Sequence, residues 1–367
     1  MVRYTFMVIS VLMSFFGCAR TAVVRLPEPR EPLRKVEYPR HRIKIEQPLI
    51  LLYRGIYLNY YAAGRLKRYI ESMRRTELNC VVIDFKNDVG FVTYDTKVEF
   101  AKRIGAVKPV LDLESIVRVC NENGIYLIGR IVVFKDSILA KYDGGKFCIR
   151  HEDGELWRDR KRNLWVDQYS TGAWDYVIDI AKDLAERGVR EIQFDYVRFP
   201  SKGDLDAMRF PHKTEDIERE DLMVEFLKRA YTSLKPYGVN VAVDLYGYTT
   251  WLESMKQEGQ NLSKIENWVD VVCPMLYPSH FHSDFKKNAN PREYHIVYES
   301  LVNGYEKIGK EKFVAYIQGF DLKSPNFGPE YIGNQIKAVR DAKARGYIVW
   351  NARSNYSALF QLLNSKR

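Results

Sequence analysis

From residue 54 onward, short apolar runs alternate with longer segments of helical periodicity. Eight of these runs are five to nine residues long and almost continuously apolar. Such runs are typical of strands that are buried on both faces of a parallel sheet. The predicted strands are Gly55–Asn59, Cys80–Phe85, Tyr126–Phe134, Glu191–Tyr196, Val239–Tyr246, Val271–Tyr277, Phe313–Gln318 and Tyr347–Asn351.

The segments between the strands carry apolar residues at the three- and four-residue spacing of amphipathic helices. Several end in a glycine directly before the next strand, as in "AKDLAERG" and "AKARG", which is a common helix stop. The predicted helices are Arg65–Thr76, Leu113–Asn123, Ala173–Arg187, Glu218–Lys235, Leu262–Trp268, Pro291–Ile308, Pro329–Arg345 and Ser357–Leu363.

Eight strand–helix units over residues 54–367 predict an α/β protein with a single (β/α)8 barrel domain, a TIM barrel. An open, doubly wound sheet is the alternative architecture. Barrel enzymes build their sites from the loops after the carboxyl ends of the strands. Two such loops, residues 135–172 and 199–217, are long, and long loops at this end are more often functional than accidental.

The first 18 residues have the pattern of an export signal. Arg3 precedes a mostly apolar stretch, Tyr4–Phe16, which is too short to span a bilayer comfortably. Gly17 and Cys18 follow, and a small residue before cysteine resembles a bacterial lipoprotein signal in which Cys18 carries the lipid. We therefore expect an exported, membrane-anchored lipoprotein that faces the periplasm or the cell exterior. A buried N-terminal helix is the alternative.

Residues 19–53 are predicted to be a linker, because they hold 5 of the 14 prolines and show no periodicity. Residues 19–54 carry nine basic and four acidic side chains, so this segment supplies +5 of the net charge of +10. Arg3 supplies one more, which leaves +4 for the remaining residues. A basic linker beside a membrane suits anionic lipid or wall polymer, and we expect no nucleic-acid partner.

Several common catalytic motifs are missing from the sequence. No GxSxG, HExxH, P-loop or GxGxxG motif occurs, which argues against serine hydrolases, zincins and nucleotide enzymes. The cysteines after Cys18 are Cys80, Cys120, Cys148 and Cys273, without CxxC spacing, so we expect no zinc site and no cofactor. One disulfide among them is possible. Carboxylate chemistry is the class that remains.

Three aspartates at strand ends are the candidate catalytic residues. Asp84 follows the second strand's apolar run, and Asp195 and Asp244 lie on the fourth and fifth strands, which are neighbours in a barrel. Paired carboxylates in different environments can divide the acid and nucleophile or base roles. Arg198 is expected to keep Asp195 ionised through a charge-assisted bond. The alternatives are structural: a salt bridge or cap for Asp84, a pair with Arg198 for Asp195, and hydrogen bonding for Asp244.

Other polar and aromatic residues at the strand ends are candidate substrate contacts, because aromatic faces stack on sugar rings. The Trp-rich loop could instead be a packed lid. His280, His282 and Asp284 alternate as metal ligands do, but we expect a solvated or substrate-contacting loop there and no metal. The candidate substrate-binding residues are Tyr57, Lys86, Trp157, Trp165, Arg198, Tyr246, Tyr277, His280, Gln318 and Asn351.

Five blocks of the sequence, in order, carry a resemblance to a known family. "RGIYLNYYAAG", "TELNCVVIDFKNDVG", "EIQFDYVRFPS", "VAVDLYGYTTW" and "VDVVCPMLYPSHF" together resemble the putative glycosyl hydrolase domain of bacterial exported proteins. The resemblance covers roughly residues 54–360. It implies a TIM barrel related to glycoside hydrolases, with a catalytic carboxylate at Asp195.

These observations predict a glycosidase that acts on a cell-envelope polysaccharide or an exopolysaccharide. Two other classes remain open. The first is a glycan-binding barrel without catalysis, because no glutamate stands at any predicted strand end and many glycosidases use glutamate as the acid. The second is an envelope scaffold whose working part is the basic linker.

Overall fold

The computed structural model describes residues 52–214 and 216–365. All eight predicted strands are present, and each boundary agrees with the prediction within two residues. Two further short strands, β3 and β4, were not predicted. The strands are β1 (Tyr53–Leu58), β2 (Cys80–Lys86), β3 (Val92–Tyr94), β4 (Val107–Leu111), β5 (Tyr126–Val132), β6 (Glu191–Asp195), β7 (Asn240–Tyr246), β8 (Val271–Met275), β9 (Val314–Gln318) and β10 (Gly346–Trp350).

Eight of the strands form a closed parallel barrel. The order runs β1, β2, β5, β6, β7, β8, β9 and β10, and β10 pairs in turn with β1. Closure excludes the open doubly wound sheet and confirms the predicted (β/α)8 barrel. All carboxyl ends of these strands therefore meet at one mouth, which is where barrel enzymes place their chemistry.

The eight predicted helices are also present, and three short ones were missed. The segment predicted as Leu262–Trp268 is an α-helix that continues as a single 3-10 turn. The helices are α1 (Tyr60–Ala63), α2 (Leu66–Met73), α3 (Glu99–Arg103), α4 (Leu113–Glu122), α5 (Ser137–Gly145), α6 (Thr171–Glu186), α7 (Arg219–Leu234), α8 (Leu262–Ile265), α9 (Arg292–Tyr305), α10 (Pro329–Asp341) and α11 (Ser357–Asn364).

The two additional strands extend the sheet beside β2. β3 pairs antiparallel with β2, and β4 pairs with β3. Asp183 on α6 holds this extension in place, because its carboxylate accepts hydrogen bonds from the hydroxyls of Tyr94, at 2.9 Å, and Thr96, at 2.6 Å. Sequence patterns gave little signal here, since β3 has three residues and β4 contains Pro109.

The apolar core has two layers. The larger layer fills the space between the strands and the surrounding helices, and the smaller one lies inside the barrel. Residues such as Val82, Ile128, Ala242 and Cys273 occupy the barrel interior. A packed interior of this kind makes the barrel a rigid support for the side chains at its mouth, not a pore.

The predicted signal segment, residues 1–18 with Cys18, lies outside the described residues, as does the predicted linker except at its end. β1 begins at Tyr53, the last residue that was assigned to the linker. Within residues 52–214 and 216–365, no helix is long and apolar enough to cross a membrane. The four cysteines of this part of the chain are buried free thiols, so the possible disulfide among them is not formed.

Candidate active site

A buried arginine joins three aspartates at the mouth of the barrel. Arg130 on β5 donates from Nη1 to Asp84 Oδ1 at 2.5 Å and from Nη2 to Asp195 Oδ2 at 2.5 Å. Its Nε lies 3.1 Å from the same Asp195 oxygen and 3.9 Å from Asp244 Oδ2. We call these four residues the Arg130 cluster. It contains all three carboxylates that the sequence indicated.

Strand register explains why these side chains meet. Asp84 pairs with Arg130 across β2 and β5, so the two stand side by side. Arg130 pairs with Gln193, which places Asp195 two residues further toward the mouth on the same face. Phe194 pairs with Val243, which brings Asp195 level with Asp244. Parallel pairing of four neighbouring strands, β2, β5, β6 and β7, thus assembles the cluster.

Asp84 is fully engaged by its neighbours. Its Oδ2 accepts a hydrogen bond of 2.5 Å from the hydroxyl of Tyr57, while Oδ1 faces Arg130. The ring of Tyr57 stacks on Trp350, with centroids 3.7 Å apart. Burial raises the pKa of Asp84, whereas Arg130 and the Tyr57 hydroxyl oppose that rise. With both oxygens occupied, Asp84 is suited to hold Arg130 in position.

Asp195 stands at the end of β6, and both of its carboxylate oxygens accept hydrogen bonds. Its Oδ2 takes the Arg130 guanidinium, and its Oδ1 accepts a hydrogen bond of 2.5 Å from the backbone N–H of Tyr196. Tyr196 has φ 56°, a left-handed conformation that costs energy for a residue other than glycine. Such strain beside a carboxylate is a feature that clusters at active sites.

Asp244 has the opposite environment. Its Oδ1 is fully buried and has no hydrogen-bond partner among the described residues. Burial raises the pKa of Asp244 well above its ordinary value, and the negative charge of Asp195 raises it further, against the opposing effect of Arg130. These surroundings favour the protonated form of Asp244 more than water does. Arg130 Nε lies 3.1 Å from Asp195 Oδ2 and 3.9 Å from Asp244 Oδ2. These two carboxylate oxygens are therefore at most about 7 Å apart.

The expected bond between Arg198 and Asp195 is not formed. Asp195 pairs with Arg130 instead, and Arg198 donates from Nη1 to the carbonyl of Phe199 at 3.1 Å. The left-handed turn at Tyr196 changes the chain direction between the two residues, so their separation of three positions does not bring them together. Arg198 remains at the mouth, where its guanidinium lies among aromatic rings.

The two tryptophans of the long loop are packed and not open platforms. Trp157 is 1% exposed and donates to the carbonyl of Asp204 at 2.6 Å, and Trp165 is 3% exposed and donates to Asp159 at 3.1 Å. The first bond ties the loop after β5 to the loop after β6. The structure therefore favours the packed-lid interpretation of this loop, although Trp165 also contacts the Arg198 guanidinium.

Three candidate substrate contacts are occupied by structural bonds. Lys86 is fully buried on the helix side of the sheet, where it pairs with Asp136 at 2.7 Å. Gln318 bonds to the backbone of Ser279, Phe320 and Leu322. Asn351 donates to the carbonyls of Gly319 and Asn355. These residues shape the loops at the mouth, and Lys86 is not brought to the site at all.

The remaining candidates line the mouth. Tyr277 is 3% exposed, and the charges of Asp244 and Asp195 add to the burial that raises its pKa. His280 is exposed, with its ring 5.2 Å from that of Tyr277. Tyr246 is half-buried, and its hydroxyl lies 3.0 Å from Ser201 Oγ. These side chains surround the approach to the Arg130 cluster.

Sequence reasoning missed Arg130 itself. The signal was present in "YLIGRIVVF", where one cationic residue interrupts an apolar strand. Arg130 is two residues from Ile128, so both side chains lie on the same face of the strand, and Ile128 faces the barrel interior. A buried cation on that face requires an anionic partner, and the neighbouring strands offered Asp84 and Asp195.

The fold and the site together define a barrel of the enzyme type, with acids gathered at the carboxyl ends of its strands. The sequence matches the family described as putative glycosyl hydrolase domain over residues 55–356, and the chain belongs to this family. This confirms the resemblance seen in the five sequence blocks. No curated protein matches the sequence.

Several solved structures are similar. The glycoside hydrolase domain of PgaB (BpsB) from Bordetella bronchiseptica is 13% identical, with 86% of this chain and 100% of that chain covered and a TM-score of 0.63. A class V chitinase from Pseudomonas fluorescens is 10% identical, with the same coverages and a TM-score of 0.55. A hypothetical protein from Ruminiclostridium thermocellum is 34% identical over 52% of this chain and 96% of its own, with a TM-score of 0.47. At such low identity the first two likenesses show the fold alone.

Proposed function

We propose that this protein is a glycosidase that cleaves glycosidic bonds in a cell-envelope polysaccharide or an exopolysaccharide. The observation that carries the proposal is the contrast inside the Arg130 cluster: Asp195 is paired with a cation, whereas Asp244 is buried with an unpartnered oxygen. Two carboxyl groups in different protonation states are what glycoside hydrolysis requires. Membership of the family supports the same class of enzyme.

We propose a role for each acid from its surroundings. Asp195, paired with Arg130, is the carboxylate that attacks the anomeric carbon, or that activates a water to do so. As the C–O bond to the leaving sugar breaks, Asp244 passes its proton to the leaving oxygen. Asp84 becomes a positioning residue, because both of its oxygens are used in holding Tyr57 and Arg130.

The mouth offers groups for binding sugar around this pair. Tyr246, Tyr277 and His280 present aromatic faces and polar atoms at the approach. Trp165 and Arg198 form one wall, and the lid that contains Trp157 supports it. Tight packing of that wall keeps the contacts in a fixed place relative to Asp195, which favours a defined register of the bound chain.

We also propose that the enzyme is exported and anchored through a lipid on Cys18, as the N-terminal pattern predicts. Expression of the parent and of Cys18→Ser in a bacterial host tests this part separately. The parent is expected in the detergent phase after phase separation, and the variant in the aqueous phase. Equal partitioning of both proteins would remove the lipid anchor from the proposal.

A glycan-binding barrel without turnover is the second candidate. The observation in its favour is deep burial: Asp84, Asp195 and Asp244 are only 5%, 6% and 2% exposed, and none of them is a glutamate with longer reach. Such a protein would bind a polysaccharide at the same mouth and release no product.

Release of reducing ends from a panel of envelope polysaccharides and exopolysaccharides tests the two candidates. The purified full chain is compared with Asp195→Asn and with Asp284→Asn, which alters an exposed aspartate on the loop after β8. We expect turnover by the parent and the control, and a loss of about a thousandfold or more in Asp195→Asn, since roughly 4 kcal/mol of barrier is then restored. Binding without release by the parent would favour the second candidate.

A further inference from the structure

Arg198 is held in an aromatic cage beside the Arg130 cluster. Its guanidinium carbon lies 4.6 Å from the ring centre of Tyr196, 4.8 Å from that of Tyr246 and 5.0 Å from that of Trp165. Rings in contact with a guanidinium hold it by cation–π attraction and fix its orientation. The residue is 8% exposed, so the cage removes most of the group from solvent.

This guanidinium lacks a paired anion. Within the described parts of the chain it makes no ion pair, and its one hydrogen bond goes to the carbonyl of Phe199. The carboxylate of Glu258 is close enough for Arg198 to lower its pKa, against the larger rise that burial causes, but the two form no salt bridge. A largely buried cation without a paired anion is costly, and the other buried cations among residues 52–214 and 216–365, Arg130 and Lys86, are paired.

The unused donors of Arg198 remain available to a ligand. A guanidinium has five N–H donors, and only one of its nitrogens is engaged here. The other two guanidinium nitrogens of Arg198 are not fully buried, so they keep contact with solvent. Rings that hold the faces of a guanidinium leave its edge free, and that edge matches the two oxygens of a carboxylate.

The cage is also next to the reacting groups. Tyr196, which forms one wall, follows Asp195 directly, and the charges of Asp195, Lys135 and Arg198 all act on its hydroxyl. Further out, Lys202 and Lys323 both contribute to lowering the pKa of His280, after the larger effect of desolvation. Two lysines therefore stand near His280 at the mouth, with Asp204 on the loop that carries Lys202 and Asp321 on the loop that carries Lys323.

We propose that Arg198 forms a subsite for a carboxylate of the polysaccharide, so that the substrate is an acidic glycan of the uronic-acid type. This inference rests on the proposed function, because it places the carboxylated sugar next to the bond that Asp195 attacks. The cage holds the guanidinium in place, and the ligand carboxylate supplies the missing anion through two parallel N–H to oxygen bonds.

Matched ligands test the inference on the full chain, with Asp195→Asn used to prevent turnover. Oligosaccharides of galacturonate, mannuronate and glucuronate are compared with their carboxyl-reduced forms, which carry a primary alcohol in place of the acid. We expect at least one uronate to bind, and carboxyl reduction to weaken its binding by about tenfold or more. Equal binding of acid and alcohol, or no binding of any uronate, overturns the inference.

Arg198→Gln is then made in the same background and compared with Arg219→Gln. Arg219 is a matched control, because its guanidinium also stacks on rings, those of Phe199 and Phe210, and donates to a carbonyl. We expect Arg198→Gln to lose affinity for the uronate but not for the carboxyl-reduced form, and Arg219→Gln to retain both. Equal losses for both ligands in Arg198→Gln would mean that Arg198 acts only on structure.

The two proposals fail in different ways. Turnover of a neutral or cationic glycan that depends on Asp195 but not on Arg198 would retain the glycosidase and reject the carboxylate subsite. Uronate binding that depends on Arg198, without turnover by any form of the enzyme, would retain the subsite and reject the glycosidase. The comparison of acid with alcohol needs no change at Arg198, so it stands even where Arg198→Gln does not fold.

Discussion

Strand β6 carries two buried acids at opposite ends of the barrel, and their surroundings differ. Glu191, near the amino end, accepts hydrogen bonds from the hydroxyls of Tyr53, at 2.6 Å, and Tyr126, at 3.2 Å. Asp195, at the carboxyl end, is bound by the guanidinium of Arg130. Both acids are at least 94% buried, so burial alone does not separate them.

The difference lies in the groups that donate hydrogen bonds to each acid: hydroxyls at Glu191 and a guanidinium at Asp195. Burial raises the pKa of Glu191 to about 7, because hydroxyl and amide donors and the charge of Arg345 offset only part of the cost of an ion in the barrel interior. Arg130 supplies a full positive charge to Asp195. The amino end of such barrels serves stability and the carboxyl end serves chemistry, and under the proposed function one strand serves both by changing the partner of its acid.

Removal of Arg130 should give the largest effect. Arg130→Met leaves Asp84 and Asp195 buried without their cation, and loss of one partner of a buried ion pair costs roughly 3–5 kcal/mol. We expect the free energy of unfolding in urea at pH 7 to fall by about that amount. Part of the loss should return at acidic pH, where the carboxyl groups take up protons.

Arg229→Met is the matched control for this experiment. Arg229 pairs with Asp175 on the helix surface, where an exposed ion pair contributes only about 0–1 kcal/mol. A loss below roughly 1 kcal/mol in Arg130→Met would show that the acids at the mouth do not depend on this cation.

Asp244→Asn should give the next largest effect, on catalysis. A general acid must be protonated, so activity of the parent should fall as the pH rises through the raised pKa of Asp244. The variant should lose about a hundredfold in kcat/KM, which corresponds to roughly 2.7 kcal/mol. It should also lose the alkaline limb of the pH profile. An aryl glycoside whose leaving group needs no proton should restore much of the rate of the variant.

Asp84→Asn tests whether the alkaline limb of the pH profile belongs to Asp244 or to Asp84. This variant weakens the support of Arg130 and is expected to lower the rate, but the alkaline limb should persist because Asp244 is still present. An alkaline limb that persists in Asp244→Asn and disappears in Asp84→Asn would exchange the roles of the two aspartates.

The sequence predicted the eight strands and the three acids, since apolar runs and strand ends are local features. The position of Lys86 depends on a detail that periodicity does not contain. Strict alternation from Asp84 would direct Lys86 into the barrel, but the pairing of β2 with β5 shifts register between these two residues. The resulting bulge turns Lys86 to the helix side, where Asp136 receives its charge.

Partners across the barrel were equally hard to predict. Sequence separation favoured Arg198 as the partner of Asp195, because it is three residues away, whereas Arg130 is 65 residues away. In the structure, the left-handed conformation of Tyr196 turns the chain away before Arg198, and the pairing of β5 with β6 brings Arg130 to Asp195. Neither a turn of this kind at a tyrosine nor the stagger of neighbouring strands is encoded in the pattern of apolar residues.

Glu191→Gln gives the smallest effect and tests the amino end of the comparison. A raised pKa means that the folded protein holds the proton more tightly than the unfolded chain, so this contribution to stability is complete below pH 4.5 and is lost as the pH rises through about 7. Glutamine resembles the protonated acid at every pH. Between pH 5 and pH 8 the parent should therefore lose roughly 2 kcal/mol of its free energy of unfolding that the variant keeps, as measured by urea unfolding.

Glu225→Gln, on the exposed face of α7, is the control and should change the difference in free energy of unfolding between the two pH values by less than about 0.5 kcal/mol. A parent whose stability rises over this interval while Glu191→Gln stays level would mean that Glu191 is ionised in the fold, and the two ends of β6 would then differ in geometry but not in charge.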